Sequence, residues 1–187
     1  MWSRTMSNES AQPDWARYAR DVLELALRGR STEDARPPDD DRPHSGAFVT
    51  LYKHNRLRGC VGTLDDRQSR ADAVAYAAVA AARQDARFPP VQAAELPEIR
   101  VEVSILSPPK PMHSLDDLVL GEHGVIVQRG PQRGLFLPKV ATTHGFDKET
   151  LLQRCCTEKA GLPPDAWRDP ATRVWIFRTE SYSEDDR

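Results

Sequence analysis

Arg58 and Cys60, set among the glycines of Leu57-Arg58-Gly59-Cys60-Val61-Gly62-Thr63, are the residues of this chain whose types and spacing best suit chemistry. On an extended strand residues i and i+2 share a face, so Arg58 and Cys60 are expected to project together. A fixed positive charge beside a thiol favours the thiolate, the reactive form of cysteine. Gly59 and Gly62 carry no side chain and leave room for another group to approach the backbone. The alternative is an ordinary buried cysteine with glycines that mark a bulge, since free cysteines are among the most buried residues. A general base would have to come from elsewhere, and His123, between Gly121 and Gly124, is the candidate if folding brings it near. Asp85, Arg87 and Phe88 end an apolar helix. They are expected to line the same groove, with Arg87 able to clamp a carboxylate or phosphate, or else to form an ion pair capping that helix.

The elements that must position these groups follow from periodicity. Trp15, Tyr18, Val22, Leu25 and Ala26 recur at helical steps, which predicts a helix over 14–28 capped by Asp14 and closed by Gly29. Residues 31–45 hold three prolines and four aspartates with almost nothing apolar, and predict a solvated connector whose charge is solubilising. Ala47–Lys53 and Arg56–Val61 predict a hairpin turned at His54-Asn55. In that register Val49 faces Cys60 and Leu51 faces Arg58, so Ala47, Val49, Leu51, Arg58, Cys60 and Gly62 share a face. An alanine-rich helix is predicted over 69–86, stopped by Pro89-Pro90. Strict alternation marks 99–106 as a half-buried strand. A second hairpin spans 124–137 around Gly130-Pro131-Gln132-Arg133, helices follow over 138–144 and 147–160, and 172–179 reads as a final strand. Residues 1–13 read as a flexible N-terminal tail, 183–187 as a C-terminal tail, and 14–182 as one domain. The fold class is α+β, a mainly antiparallel sheet flanked by helices.

Composition narrows the function. The 187 residues are 39 % hydrophobic and 29 % charged, with a net charge of −2, so bulk charge disfavours a nucleic-acid-modification accessory. A chain this long buries roughly 70 % of its unfolded surface without a disulfide or structural metal. Three cysteines and no apolar leader point to a reducing, cytoplasmic setting. The longest apolar run, 73–82, is too short to span a bilayer. No C-x-x-C, H-E-x-x-H, radical-SAM cluster spacing or phosphate-loop fingerprint is present, so neither a metal nor a cofactor is expected. Cys155 and Cys156, adjacent on a helix, diverge by about 100° and are poorly placed to share a metal.

Several stretches together resemble the AMMECR-one domain family, also called protein A of the AmmeMemoRadiSam system. They are Phe48-Val49-Thr50-Leu51, LRGCVGT at 57–63, Asp85-x-Arg87-Phe88-Pro89-Pro90, Glu95-Leu96-Pro97 and VEVSIL at 101–106. They continue with His123-Gly124-Val125, Leu137-Pro138-x-Val140-Ala141 and Lys159-Ala160-Gly161-Leu162. The order and spacing extend over about 14–182. The resemblance implies a two-lobed α+β domain, with a smaller appended lobe and the LRGC stretch near the groove between lobes. It implies as partners a Memo-type protein and a radical-SAM protein, and no agreed reaction. The family usually has a cysteine two residues before Lys159, where this chain has Thr157. Two roles stay open: a modification-system component with a reactive thiol, and a non-catalytic adaptor that docks a protein.

Overall fold

The computed structural model describes residues 13–186; the expected tail over 1–12 lies outside the described residues. Two four-stranded antiparallel sheets form the body. The first comprises β1 (Gly46–Lys53), β2 (Arg56–Thr63), β3 (Ile99–Leu106) and β8 (Thr179–Ser183) in the order β2-β1-β3-β8. The second comprises β4 (Lys110–Pro111), β5 (Gly124–Arg129), β6 (Gln132–Phe136) and β7 (Arg173–Phe177) in the order β4-β7-β5-β6.

Two helices cover one face of the first sheet. α1 (Trp15–Leu27) starts where the Asp14 carboxylate accepts the Arg17 N–H at 2.8 Å, satisfying an otherwise orphaned donor. Its face of Trp15, Ala19, Val22 and Leu23 is wholly buried against Val49, Leu51, Val101 and Val103. α2 (Arg70–Arg83) buries Ala73, Ala77, Ala78 and Ala81, whose small side chains let the helix lie close on the strands. Gly59 makes that approach possible, because a Cβ there would stand 2.2 Å from the Ala81 carbonyl oxygen.

The second sheet packs Val125, Val127, Phe136, Val174 and Ile176 against α3 (Lys139–His144), α4 (Lys148–Arg154) and the turns that follow. The predicted helix over 147–160 changes character at Cys155: residues Cys155–Ala160 widen into a π-helical turn. The opposite faces of the two sheets meet at Leu106, Ile126 and Phe177, flanked by Phe48, Leu64, Leu135, Leu137 and Trp175. The molecule is thus an α+β arrangement of helices, sheet, sheet and helices.

The structure refines three of these expectations. The connector 31–45 is anchored, not free in solvent. The Asp40 side chain is 3 % exposed and accepts from Trp15 Nε1 at 3.1 Å and Arg70 Nη1 at 3.0 Å, with Arg70 itself 3 % exposed. The expected strand over 172–179 is β7, but it is not the final one: the chain leaves β7 at Phe177 and enters a further strand, β8, at Thr179 in the other sheet. The segment from 183 is docked: Glu184 accepts the Val101 N–H at 2.8 Å and pairs with Arg20 at 2.8 Å.

Candidate functional site

Hairpin β1–β2 carries the motif. His54 and Asn55, at φ 50° and 60°, form the two-residue turn whose twist matches antiparallel strands. From that turn Lys53 pairs with Arg56 and Tyr52 with Leu57, but Leu51 pairs with Gly59, leaving Arg58 as the extra residue of a bulge. One added residue exchanges the faces of everything beyond it. The expected pairing of Val49 with Cys60 is therefore replaced by Thr50 with Cys60. Ala47, Val49 and Leu51 go to the helical core, fully buried, while Cys60 joins Phe48, Thr50 and Tyr52 on the face turned toward the second sheet.

On that face a polar row crosses the sheet. Cys60 on β2 stands opposite Thr50 on β1, and Thr50 stands opposite Glu102 on β3. Cys60 Sγ lies 3.2 Å from Thr50 Oγ1. Glu102 pairs with Lys139 of α3, which belongs to the other half of the molecule, and Lys139 Nζ also reaches the Tyr52 hydroxyl at 3.4 Å. Burial works against the Lys139 charge, but Glu102 outweighs it and raises the lysine's pKa. Thiol, hydroxyl, carboxylate and ammonium so stand along one row of that face. Sequence reading missed Thr50, Glu102 and Lys139. The polar face of the 99–106 alternation was the available signal for Glu102.

Arg58 does not stand beside the thiol. Its Nε and Nη2 bond the Glu95 carboxylate at 3.1 and 3.0 Å, and Nη1 donates to the Pro89 carbonyl at 2.9 Å. Glu95 also accepts from Lys53 at 3.2 Å. The Arg58 guanidinium, which contributes most, with the Gln92 N–H and Lys53, holds Glu95 down at about 2. Arg58 is thus a tie between β2 and the 3-10 turn Ala93–Glu98.

Asp85 and Arg87 are nearer the thiol. The Asp85 side chain, 5 % exposed, accepts the Cys60 N–H at 2.9 Å and takes Arg87 Nε and Nη2 at 2.9 and 2.7 Å. This closes the outer edge of β2, whose N–H groups would otherwise be open to another strand. The Arg87 bonds hold the Asp85 carboxyl well below the usual carboxylate range. Arg87 is correspondingly raised, first by Asp85 and in a smaller part by the charge of Cys60. Its guanidinium lies over the Phe88 ring at 5.5 Å.

The glycines serve packing. Gly59 admits α2, and a Cβ at Gly62 would strike the Phe48 ring at 2.4 Å. His123 is not brought to Cys60: Nδ1 accepts the Val119 N–H at 3.1 Å and Nε2 faces Arg178 Nε at 3.4 Å. Cys155 and Cys156 are fully buried, and burial pushes Cys155 up to about 12 and Cys156 upward as well. Thr157, where the resemblance places a cysteine, is exposed and bonds the Gln153 carbonyl at 3.1 Å. Among the described residues no group of three or more His, Cys, Asp or Glu is gathered to hold a metal ion. Nor is any helix there long and apolar enough to cross a membrane.

Comparison with known proteins gives a consistent set of relatives. The AMMECR1 family model matches residues 16–182. A protein of Methanothermobacter thermautotrophicus is 45 % identical over 179 residues, covering 90 % of this chain and 92 % of that one. A protein of Nanoarchaeum equitans is 38 % identical, covering 91 % of this chain and 98 % of its own. The crystal structure of an uncharacterized protein, PH0010 from Pyrococcus horikoshii, superposes with a TM-score of 0.82 at 35 % identity, covering 93 % of both chains.

Proposed function

This chain belongs to the AMMECR1 family, and from that premise we propose that it is a component of a modification system. In this reading it works with a Memo-type protein and a radical-SAM protein, and Cys60 is the reactive group in the groove between the sheets. One observation carries the reading. Cys60 alone of the three cysteines is not buried, and it ends a row through Thr50 and Glu102 to a lysine of the opposite half. Thiols that react are partly exposed and near fixed positive charge, and Arg87 supplies that charge here. Arg87 and Phe88 form the outer lip where substrate is met, with Asp85 positioning both the lip and the strand.

Alkylation of the folded protein by iodoacetamide at neutral pH, read by peptide mass spectrometry, tests this. Cys60 is expected to react at least about tenfold faster than Cys155 and Cys156, which burial holds as thiols. A Cys60 as inert as the other two defeats the reading. Cys60→Ser is then expected to retain binding to the purified Memo-type and radical-SAM proteins while losing the modification.

A second reading, a non-catalytic adaptor, is favoured by the engagement of Arg58 with Glu95 and by the absence of a histidine bonded to Cys60 among the described residues. It predicts that Leu57→Asp, at the 38 % exposed residue before the bulge, abolishes partner binding with thiol reactivity unchanged.

A further inference from the structure

A cavity of about 640 Å³ opens where the two sheets exchange strands, and no residue of the Cys60 row lines it. Its wall brings together Lys110 of β4, His113, His123 before β5 and Arg178 between β7 and β8, with Ile176 and Phe177 beside them. The carboxylates present are occupied. Asp117 Oδ2 accepts the N–H groups of His113 and Ser114 at 2.8 and 3.0 Å, and Glu122 pairs with Arg178 Nη2 at 3.1 Å on the exposed rim. None of the hydrogen bonds or ion pairs among the described residues involves the Lys110 ammonium or Arg178 Nη1.

The hydrogen bonding of His123 is the telling detail. Both ring nitrogens face donors, Nδ1 the Val119 N–H at 3.1 Å and Nε2 the Arg178 Nε–H at 3.4 Å, and a neutral imidazole accepts at only one of them. Whichever tautomer the neutral ring adopts, one of these two donors meets a ring N–H in place of an acceptor. An imidazolium has the same conflict at both nitrogens. With the ring proton on Nε2, an oxygen seated at the mouth of this pair accepts from both His123 and Arg178. Three donor groups on separate segments, His123, Arg178 and Lys110, suit the three terminal oxygens of a phosphoryl group better than the two of a carboxylate.

We propose that this cavity is a binding site for the phosphate group of a small phosphorylated molecule, held by His123, Arg178 and Lys110, with the rest of the ligand against Ile176 and Phe177. A volume of this size accommodates a metabolite-sized ligand. The site shares no residue with the Cys60 row, so its success or failure leaves that reading untouched.

The full chain is titrated with inorganic phosphate at pH 7 and low ionic strength. The imidazole resonances of His113 and His123 are followed by NMR, with sodium chloride at matched ionic strength as control. Saturable shifts of His123 are expected, with phenyl phosphate binding more tightly than phosphate and benzoate more weakly than phenyl phosphate. Arg178→Gln is expected to weaken phosphate binding about tenfold and Lys110→Gln about threefold. Arg173→Gln, at an exposed position at the start of β7 and outside the cavity wall, should leave it unchanged. Shifts reproduced by chloride, an equal loss in Arg173→Gln, or no saturable shift of His123 overturns the proposal. So does benzoate binding as tightly as phenyl phosphate.

Discussion

Arg58 and Arg87 make opposite predictions for the thiol between them. Arg87 is raised in part by the charge of Cys60, whereas Arg58 spends its guanidinium on Glu95 and Pro89. Arg87→Gln is therefore expected to slow alkylation of Cys60 by roughly three- to tenfold, while Arg58→Gln changes it by less than about twofold. Rates with iodoacetamide measured on the two variants side by side decide the matter. Glu95 gives a pH signature. Its folded pKa of about 2 lies below the ordinary value of 4.5, so its stabilisation is complete above the ordinary value and fades as pH falls toward the folded one. Glu95→Gln should cost on the order of 2 kcal/mol at pH 7, with the gap to wild type closing by about pH 2, as read from urea unfolding across that range.

At the scale of elements, two contacts settle how the helices and the connector sit. Asp40 answers a buried guanidinium, Arg70, whose Nε and Nη2 also donate to the carbonyls of Arg42 and Pro43 at 2.7 and 3.1 Å. Asp40→Ala leaves that buried charge only its longer 3.4 Å contact with the partly exposed Glu180 and is expected to cost about 3 kcal/mol, measured by denaturant unfolding. Gly59→Ala puts a methyl into the Ala81 carbonyl, so α2 must lift from the sheet, and a loss above about 3 kcal/mol or insoluble expression is expected. The sequence shows some of this plainly. Ile99–Leu106 is legible because its alternation coincides with one face against α1 and α2. Other parts are not. The bulge at Arg58 depends on which carbonyl meets which N–H, and periodicity does not encode that; Gly59 was its one visible sign. β8 is hidden because Thr-Glu-Ser-Tyr-Ser buries only Tyr182 and carries no apolar rhythm. Cys60 and Asp85 can be picked from residue types, but Thr50, Glu102 and Lys139 join them only through the shifted register and the docking of one half on the other.

At the scale of the molecule, the two sheets are held by apolar packing at Leu106, Ile126 and Phe177 and by the exposed bridge from Lys139 to Glu102. These differ greatly in strength. Phe177→Ala should cost about 3–5 kcal/mol, and Lys139→Ala less than about 1 kcal/mol, in parallel equilibrium unfolding. The crossing between sheets is equally firm along the backbone. The Ser107 N–H donates to the Arg178 carbonyl at 2.8 Å, and the Arg178 N–H to Ser107 Oγ at 3.0 Å, so the two inter-sheet passages are laced to each other.

The docking of β8 sets an order on biosynthesis. The strand beside β3 is among the last parts of this domain to leave a ribosome, and Glu184 behind it is the carboxylate that Arg20 of the first helix holds. A nascent chain stalled before Thr179 presents the unpaired edge of β3 to its surroundings, an invitation to strand pairing between molecules. Emergence of β8 and Glu184 is the moment at which α1 and the last strand close the domain.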